Sequence, residues 1–234
     1  MEYEVNAFIT YLHNEKKISE NTEVSYKRDL TKLSAYLDGQ GVTEVGKITF
    51  TNLNSYVLYL EKNKLSPATI SRNIASIKAF YHFLYKGRWV TEDVAEGLKA
   101  PKIEKKAPEI MSMPEVVRLL EQPDTGSSKG IRDKAMLELL YATGIRVSEL
   151  ISLKLQDVNM QMGFILCRDA AKERVIPFGN KARSALLQYL EGSRSILIDD
   201  EESDILFVNC SGQPMSRQGF WKLIKHYAKK AGIT

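Results

Sequence analysis

The sequence predicts a mainly α-helical chain of two domains, with a small β-sheet or hairpin in the second. Three observations carry this. Apolar residues recur at helical spacing through residues 1–98. The stretch Lys99-Ala-Pro-Lys-Ile-Glu-Lys-Lys-Ala-Pro108 resists helix through its prolines and resists burial through its lysines. Short apolar runs of strand character appear only in the later part of the chain. A length of 234 residues admits one large domain or two smaller ones. The Pro-Lys stretch favours two: residues 1–98, a linker at 99–110, and residues 111–234.

The elements follow in order. Val5, Phe8, Ile9 and Leu12 form one stripe. Ser19 supplies a cap for a second helix carrying Tyr26, Leu30, Leu33 and Leu37, which Gly39 and Gly41 end. Thr49 or Thr51 caps a third with Leu53, Tyr56, Val57 and Leu60. Ser66-Pro67 opens a fourth, whose Ile70, Ile74, Ile77, Tyr81 and Leu84 leave Ser71, Arg72, Asn73, Ser76 and Lys78 as a polar, basic face. Tyr81, Phe83, Tyr85 and Trp89 read as core. Beyond the linker, Ser112 caps a short helix from Met113. A loop over Pro123–Gly130 leads to an apolar helix ending at Gly144. Gly163–Cys167 and Arg174–Phe178 flank a hairpin tip at Arg168–Glu173, with Lys172 at or just beyond the turn. Helices around Ala182–Leu190 and Arg217–Ala231 close the chain, with strand-like Ile205–Val208 between them.

Composition narrows the function. Hydrophobic content of 44% suffices for real cores. No apolar run approaches a membrane span, and Met-Glu-Tyr-Glu at the start lacks a signal-peptide pattern, so a cytoplasmic protein with no membrane partner is expected. Cys167 and Cys210 lack metal spacing and read as reduced thiols. His13, His82 and His226 form no ligand pair, so no metal is expected. The net charge of +4 is mild but unevenly spread. No acid lies between Glu61 and Glu92, where Lys62, Lys64, Arg72, Lys78, Lys86 and Arg88 fall. None follows Asp204, where Arg217, Lys222, Lys225, Lys229 and Lys230 fall. The linker sets Lys99, Lys102, Lys105 and Lys106 against Glu104 alone. Such blocks point to a polyanion, nucleic acid above all. Their other reading is solvated helix faces.

Tyr141-Ala-Thr-Gly-Ile-Arg-Val-Ser-Glu-Leu150 carries the chemistry. One helix stops at Gly144, another starts near Val147, and Arg146 sits in the break. A guanidinium held at a rigid corner beside the next helix's free N–H groups suits a phosphate. The competing reading is a surface arginine paired with Glu149 three residues on.

Four segments then resemble the tyrosine site-specific recombinases of the phage-integrase class, the Xer type most closely. They are Ser66–Arg72, Ala142–Leu150, Lys172–Pro177, and Arg217–Trp221 running into His226–Gly232. The resemblance implies a helical core-binding domain and an α+β catalytic domain closing around duplex DNA at a specific site. It implies cleavage through a 3′-phosphotyrosyl link without metal or nucleotide cofactor, and a tetramer on DNA for the full-length protein. By it, Arg146 holds non-bridging oxygens, Lys172 is the general acid for the 5′-oxygen, and Glu149 orients Arg146. Arg72, Lys78, Lys102, Lys105, Lys106, Arg217 and Lys222 are then the expected DNA contacts.

Two departures matter. The usual Gly-Lys-Gly before the hairpin lysine reads Cys167-Arg-Asp-Ala-Ala-Lys172 here. The family's His-x-x-Arg, later His or Trp, and nucleophilic Tyr lie beyond the segment matching Gly232-Ile-Thr234, and Tyr227 matches a buried position. The expectation is a truncated recombinase, monomeric in free solution, that binds DNA without cleaving it. The alternative is a non-catalytic helical DNA-binding regulator, and a third reading is an RNA-binding or scaffold protein.

Overall fold

A computed structural model describes residues 1–103, 107–169, 172–198 and 203–233, with only the backbone of Asp169 and Lys172. The chain forms two compact units, Met1–Ala107 and Pro108–Thr234. The expected linker lysines Lys105 and Lys106 lie outside the described residues; Lys102 is exposed.

The first unit is helical. Helix α1 (Glu2–Tyr11) runs into a π-type turn, Leu12–Lys16, that ends on Lys17 at φ 47°. Helix α2 (Glu20–Asp38) is capped by Ser19, whose Oγ accepts from the Thr22 N–H at 3.4 Å. Thr49, not Thr51, caps α3 (Phe50–Lys62). Its Oγ1 accepts from the Asn52 N–H, while Asn52 Oδ1 accepts from the Thr49 N–H at 2.9 Å. Helix α4 (Pro67–Lys86) starts on Ser66 and Pro67. The stripes of all four meet in one core, where Leu30, Leu33, Leu37, Leu53, Tyr56, Phe80 and Leu84 have no exposed surface. Phe8 of α1 meets Phe80 of α4 edge-on at 5.5 Å, a geometry that adds about 1 kcal/mol beyond area burial.

The polar face expected on α4 is corrected by this packing. Asn73 and Ser76 are buried, with Asn73 Oδ1 accepting from the Tyr56 hydroxyl at 3.4 Å. Arg72 donates to the carboxylate of Asp29 on α2 at 2.5 Å and to the Ser25 carbonyl at 3.3 Å. Sequence spacing put Arg72 opposite the apolar stripe, but α2 covers that side and supplies a carboxylate. Lys78 is partly buried and donates to the Glu96 carbonyl at 2.9 Å. Tyr85 and Trp89, read as core, are 49% and 40% exposed, although Trp89 stacks on Tyr3 at 5.8 Å.

The second unit surrounds α6 (Ser128–Thr143), preceded by α5 (Met113–Leu120). Helix α6 begins earlier than the expected loop over Pro123–Gly130 allows, because Ser127 caps it through the Gly130 N–H at 3.1 Å. A Cβ on Gly130 would lie 1.8 Å from the Asp124 carbonyl, so only glycine lets that loop fold back onto the first turn. At the other end Gly144 takes φ 62° and its N–H caps the Leu140 carbonyl at 2.9 Å. Helix α7 (Val147–Ser152) leads to a three-stranded antiparallel sheet: β1 (Val158–Asn159), β2 (Phe164–Asp169) and β3 (Lys172–Pro177). Strands β2 and β3 extend into the expected hairpin tip and pair Asp169 with Lys172. Then come α8 (Asn180–Gly192), a short α9 (Arg194–Leu197) and α10 (Arg217–Lys230).

Ile205–Val208 is not a sheet strand; it makes only isolated bridges, Lys154 to Ile205 and Val208 to Pro214. Leu206, Phe207 and Val208 are nevertheless fully buried. Side chains satisfy much of its backbone: Tyr189 donates to the Leu206 carbonyl at 2.9 Å, Arg194 to Ile205 at 2.7 Å, and Arg132 to Val208 at 3.0 Å.

Asp29 is 1% exposed and Arg72 is its cationic partner. Replacing Asp29 with Ala is expected to lower the stability of the first unit by about 1–3 kcal/mol, read as a lower urea midpoint with an unchanged slope. An unchanged midpoint would show that the ion pair does not lock α2 to α4.

Candidate functional site

The break between α6 and α7 builds a corner. Gly144 turns the chain, Ile145 is buried, and Arg146 takes an extended conformation, φ −68° and ψ 148°, as the residue before α7. Its side chain is 68% exposed. Glu149, one turn on, reaches back: its Oε2 accepts from the Arg146 backbone N–H at 2.7 Å. Its Oε1 faces the Arg146 guanidinium at 3.3 Å. The corner and the Arg146–Glu149 pair, which the sequence set as rivals, therefore coexist.

A second guanidinium completes the arrangement. Arg174 of β3 donates to Glu149 Oε2 at 2.8 Å. Arg174 pairs with Cys167 across the β2–β3 ladder, and Cys167 and Ile165 mark that face of the sheet as the buried one. Burial by itself would raise the Glu149 pKa, but the Arg146 N–H and the Arg174 guanidinium outweigh it, and the carboxyl sits below its ordinary value. Burial, with the Glu149 charge nearby, pushes the Cys167 thiol up, so Cys167 is a core residue and not a nucleophile.

Lys172 opens β3, two positions before Arg174; its side chain lies outside the described residues. Elsewhere on the hairpin, Arg168 pairs with the buried Asp157 and, at 2.9 Å, with Glu173. Asp157 Oδ2 in turn accepts from the Lys154 N–H at 2.9 Å. The turn end of the hairpin is thus tied to the segment after α7 by Arg168 and to α7 itself by Arg174.

Arg217 is exposed in the first turn of α10 and lines a cleft with Val147, Gln218, Phe220, Trp221 and Ile224, which brings it to the helix that Arg146 precedes. Lys222 is exposed on the same helix but borders a different cleft, beside Lys129, Cys210 and His226. Arg72, Lys78 and Lys102 belong to the first unit.

Two features escaped sequence reading. Arg174 is one; its alternation with Lys172 along a strand was the available signal. The other is a buried network in which Arg132 donates to Asp133 Oδ1 at 2.6 Å and the Tyr227 hydroxyl donates to Asp133 Oδ2 at 2.8 Å. The adjacent charges Arg132-Asp133 inside an apolar helix were its signal. Burial, then the bond to Asp133, pushes the Tyr227 phenol well above its ordinary pKa, which keeps it protonated. Tyr189 is buried and donates to a carbonyl, and the Tyr141 hydroxyl lies 3.5 Å from the Met113 sulfur.

Among the described residues no group of three or more His, Cys, Asp or Glu side chains could hold a metal ion, and no helix is long and apolar enough to cross a membrane.

Two family models match the chain: the phage integrase family over residues 109–234, and the phage integrase N-terminal SAM-like domain over residues 5–87. The tyrosine recombinase XerD of Oceanobacillus iheyensis is 42% identical over 236 residues, covering 100% of this chain and 79% of that protein. The XerD of Staphylococcus haemolyticus is 37% identical over 235 residues, covering 100% and 80%. Among solved structures, a lambda integrase dimer bound to a COC′ core site superposes with a TM-score of 0.75 at 14% identity, covering 100% of this chain and 79% of that one. XerH bound to palindromic difH substrate gives 0.73 at 19% identity, covering 91% and 63%. These two likenesses are of fold.

The lowered Glu149 pKa fixes a sign for pH dependence. Its stabilising contribution is fully present above the ordinary glutamate value of about 4.3 and is lost as pH falls through the lowered native value. Glu149→Gln is therefore expected to flatten the acid limb of the stability–pH curve of the second unit, measured by chemical denaturation. An acid limb identical in wild type and variant would show that Glu149 is not held as described.

Proposed function

The chain belongs to the phage integrase family, and from that premise we propose that residues 1–234 bind duplex DNA, with the Arg146 corner as a phosphate contact inherited from site-specific DNA strand exchange. The observation that carries the reading is the arginine itself: a largely exposed guanidinium, fixed at a glycine-terminated helix break and braced from behind by Glu149. That arrangement holds a cation toward solvent at a defined place, as recognition of a phosphodiester requires.

In the complete reaction a tyrosine attacks a DNA phosphorus. The phosphorus–tyrosine oxygen bond forms, the phenol releasing its proton, as the bond to the 5′-oxygen breaks, and the 5′-alkoxide takes up a proton. Arg146 stabilises charge on the non-bridging oxygens, and Lys172 supplies the proton. No external energy source enters, because the phosphotyrosyl bond preserves the energy for rejoining. Residues 1–98 are proposed as the core-binding domain, 99–110 as a basic linker and 111–234 as catalytic. A cytoplasmic location and a monomeric state of residues 1–234 in free solution belong to the same proposal, with a tetramer on DNA proposed for the full-length protein alone.

The nucleophile is another matter. Tyr227 donates to Asp133 within a buried network, and Tyr189 is buried against the Leu206 carbonyl. We propose that residues 1–234, taken as they stand, bind DNA without cleaving it, and that neither Tyr189 nor Tyr227 serves as the nucleophile.

Affinity for duplex DNA is expected to fall steeply with added salt, and Arg146→Gln to reduce the slope of log K against log salt by about 1. An identical slope in the variant would remove Arg146 from the phosphate contacts. On a suicide substrate carrying the cognate site, residues 1–234 should give no covalent protein–DNA band in a denaturing gel. A band that disappears in Tyr227→Phe would overturn the assignment of Tyr227 to the core.

A further inference from the structure

Where α10 passes the first turns of α6, the second unit holds a cleft of about 240 Å³ whose charge is one-sided. Asp133 is its one lining carboxylate among the described residues, and both of its oxygens are engaged. Oδ1 accepts from Arg132 at 2.6 Å and Oδ2 from the Tyr227 hydroxyl at 2.8 Å. The Arg132–Asp133 pair therefore cancels within the wall. Lys129 of α6 and Lys222 of α10 also line the cleft, both exposed, and neither has a hydrogen-bond or ion-pair partner among the described residues. Asp124, whose charge reaches Tyr227, turns its Oδ1 to the Gly126 N–H at 3.0 Å and does not line the cleft. Two ammonium groups, one from each helix, are left without a counter-charge.

The neighbouring polar groups add donors rather than acceptors. The Arg132 guanidinium, 2% exposed, sends Nη1 to the Val208 carbonyl at 3.0 Å and to the Cys210 sulfur at 3.8 Å. Thiol sulfur is a weak acceptor, so the cleft-facing side of this buried cation is only loosely satisfied. Asn209 spends its Oδ1 on the Ser211 and Gln213 N–H groups, at 2.7 and 3.2 Å, and its amide nitrogen has no acceptor among the described residues. A concave surface with spare donors and two unbalanced cations selects an anion that offers several oxygens. We propose that this cleft is a phosphate-binding site separate from the Arg146 corner, with Lys129 and Lys222 as its charged ligands and Asn209 and His226 beside them. Phosphate carries acceptor oxygens in several directions, so it can bridge ammonium groups that arrive from different helices. The group can belong to the backbone of duplex DNA, which rests on the proposed function, or to a free phosphate ion, which does not.

Cys210 lines the same cleft and is exposed, whereas Cys167 is buried, so Cys210 reports occupancy. The test follows alkylation of Cys210 by N-ethylmaleimide in residues 1–234, with the two thiols resolved by peptide mass spectrometry. Inorganic phosphate or a short duplex is added while chloride holds the ionic strength constant. A phosphate seated in the cleft covers the thiol, so the rate is expected to fall about threefold or more at saturation. The paired variant Lys129→Gln, Lys222→Gln, checked for folding by circular dichroism, should lose that protection. Protection by inorganic phosphate that the paired variant loses establishes a free-ion site. Protection by the duplex alone, lost in the paired variant at duplex concentrations that still saturate it, assigns the site to the DNA backbone. Protection by neither ligand overturns the proposal, and so does protection that survives both substitutions. If wild type binds no DNA, the proposed function fails on its own account, and the phosphate series still decides the cleft.

Discussion

A single carboxylate that water barely reaches organises the second unit's candidate site. Glu149 must find donors inside the protein, and those it finds come from separate elements: the backbone and side chain of Arg146 before α7, and Arg174 in β3. Satisfying that one group ties the start of α7 to β3 and to the Arg146 side chain. The Gly144 corner makes this possible by ending α6 in a left-handed turn, where a side chain would be strained. A hydrogen-bonding requirement at one residue thus becomes a positional requirement on a helix, a strand and a cation.

The same device recurs in each unit. Asp29 draws Arg72 onto α2, and Asp133 draws together Arg132 of α6 and Tyr227 of α10. At Glu149 and Asp29 an arginine and a carboxylate join elements distant in sequence, whereas the adjacent pair Arg132-Asp133 on α6 reaches distant segments through the Tyr227 hydroxyl and the Val208 carbonyl. Counting basic residues therefore overstates the cations free to meet a polyanion. Arg72 and Arg132 lie within architecture, while Lys222 and Arg217 stay exposed on α10. The acid-free blocks of the sequence are informative about net field, but the carboxylate that neutralises a given arginine can come from another helix altogether.

That explains which parts of the molecule were legible beforehand. The stripes of α2, α3 and α4 were readable because the pattern of a helix is local: residues three and four apart share a face. Gly144, Ser66-Pro67 and the Ser19 cap were readable for the same reason. Arg146 was readable as an arginine at a break, and the family resemblance supplied its chemistry. The Arg174–Glu149 contact joins positions 25 apart, and the Arg72–Asp29 contact joins positions 43 apart. No local pattern encodes such pairs. Ile205–Val208 misled for a related reason: its apolar, β-branched character is that of a strand, but the donors that satisfy it are side chains of Arg132, Tyr189 and Arg194.

The reach of α10 has a consequence for how the protein is made. Tyr227 bonds a residue 94 positions earlier, and Lys230 donates to the Gln122 carbonyl 108 positions earlier. The first unit's core, by contrast, is complete by Leu98. On the ribosome that unit can fold while the rest is still being synthesised, but the second must wait for α10 to emerge before Asp133 gains its tyrosine. Until then α6 carries a charged pair and the apolar faces meant for Phe220 and Leu223 without their cover. The nascent second unit is thus the stage most exposed to chaperone capture and to aggregation.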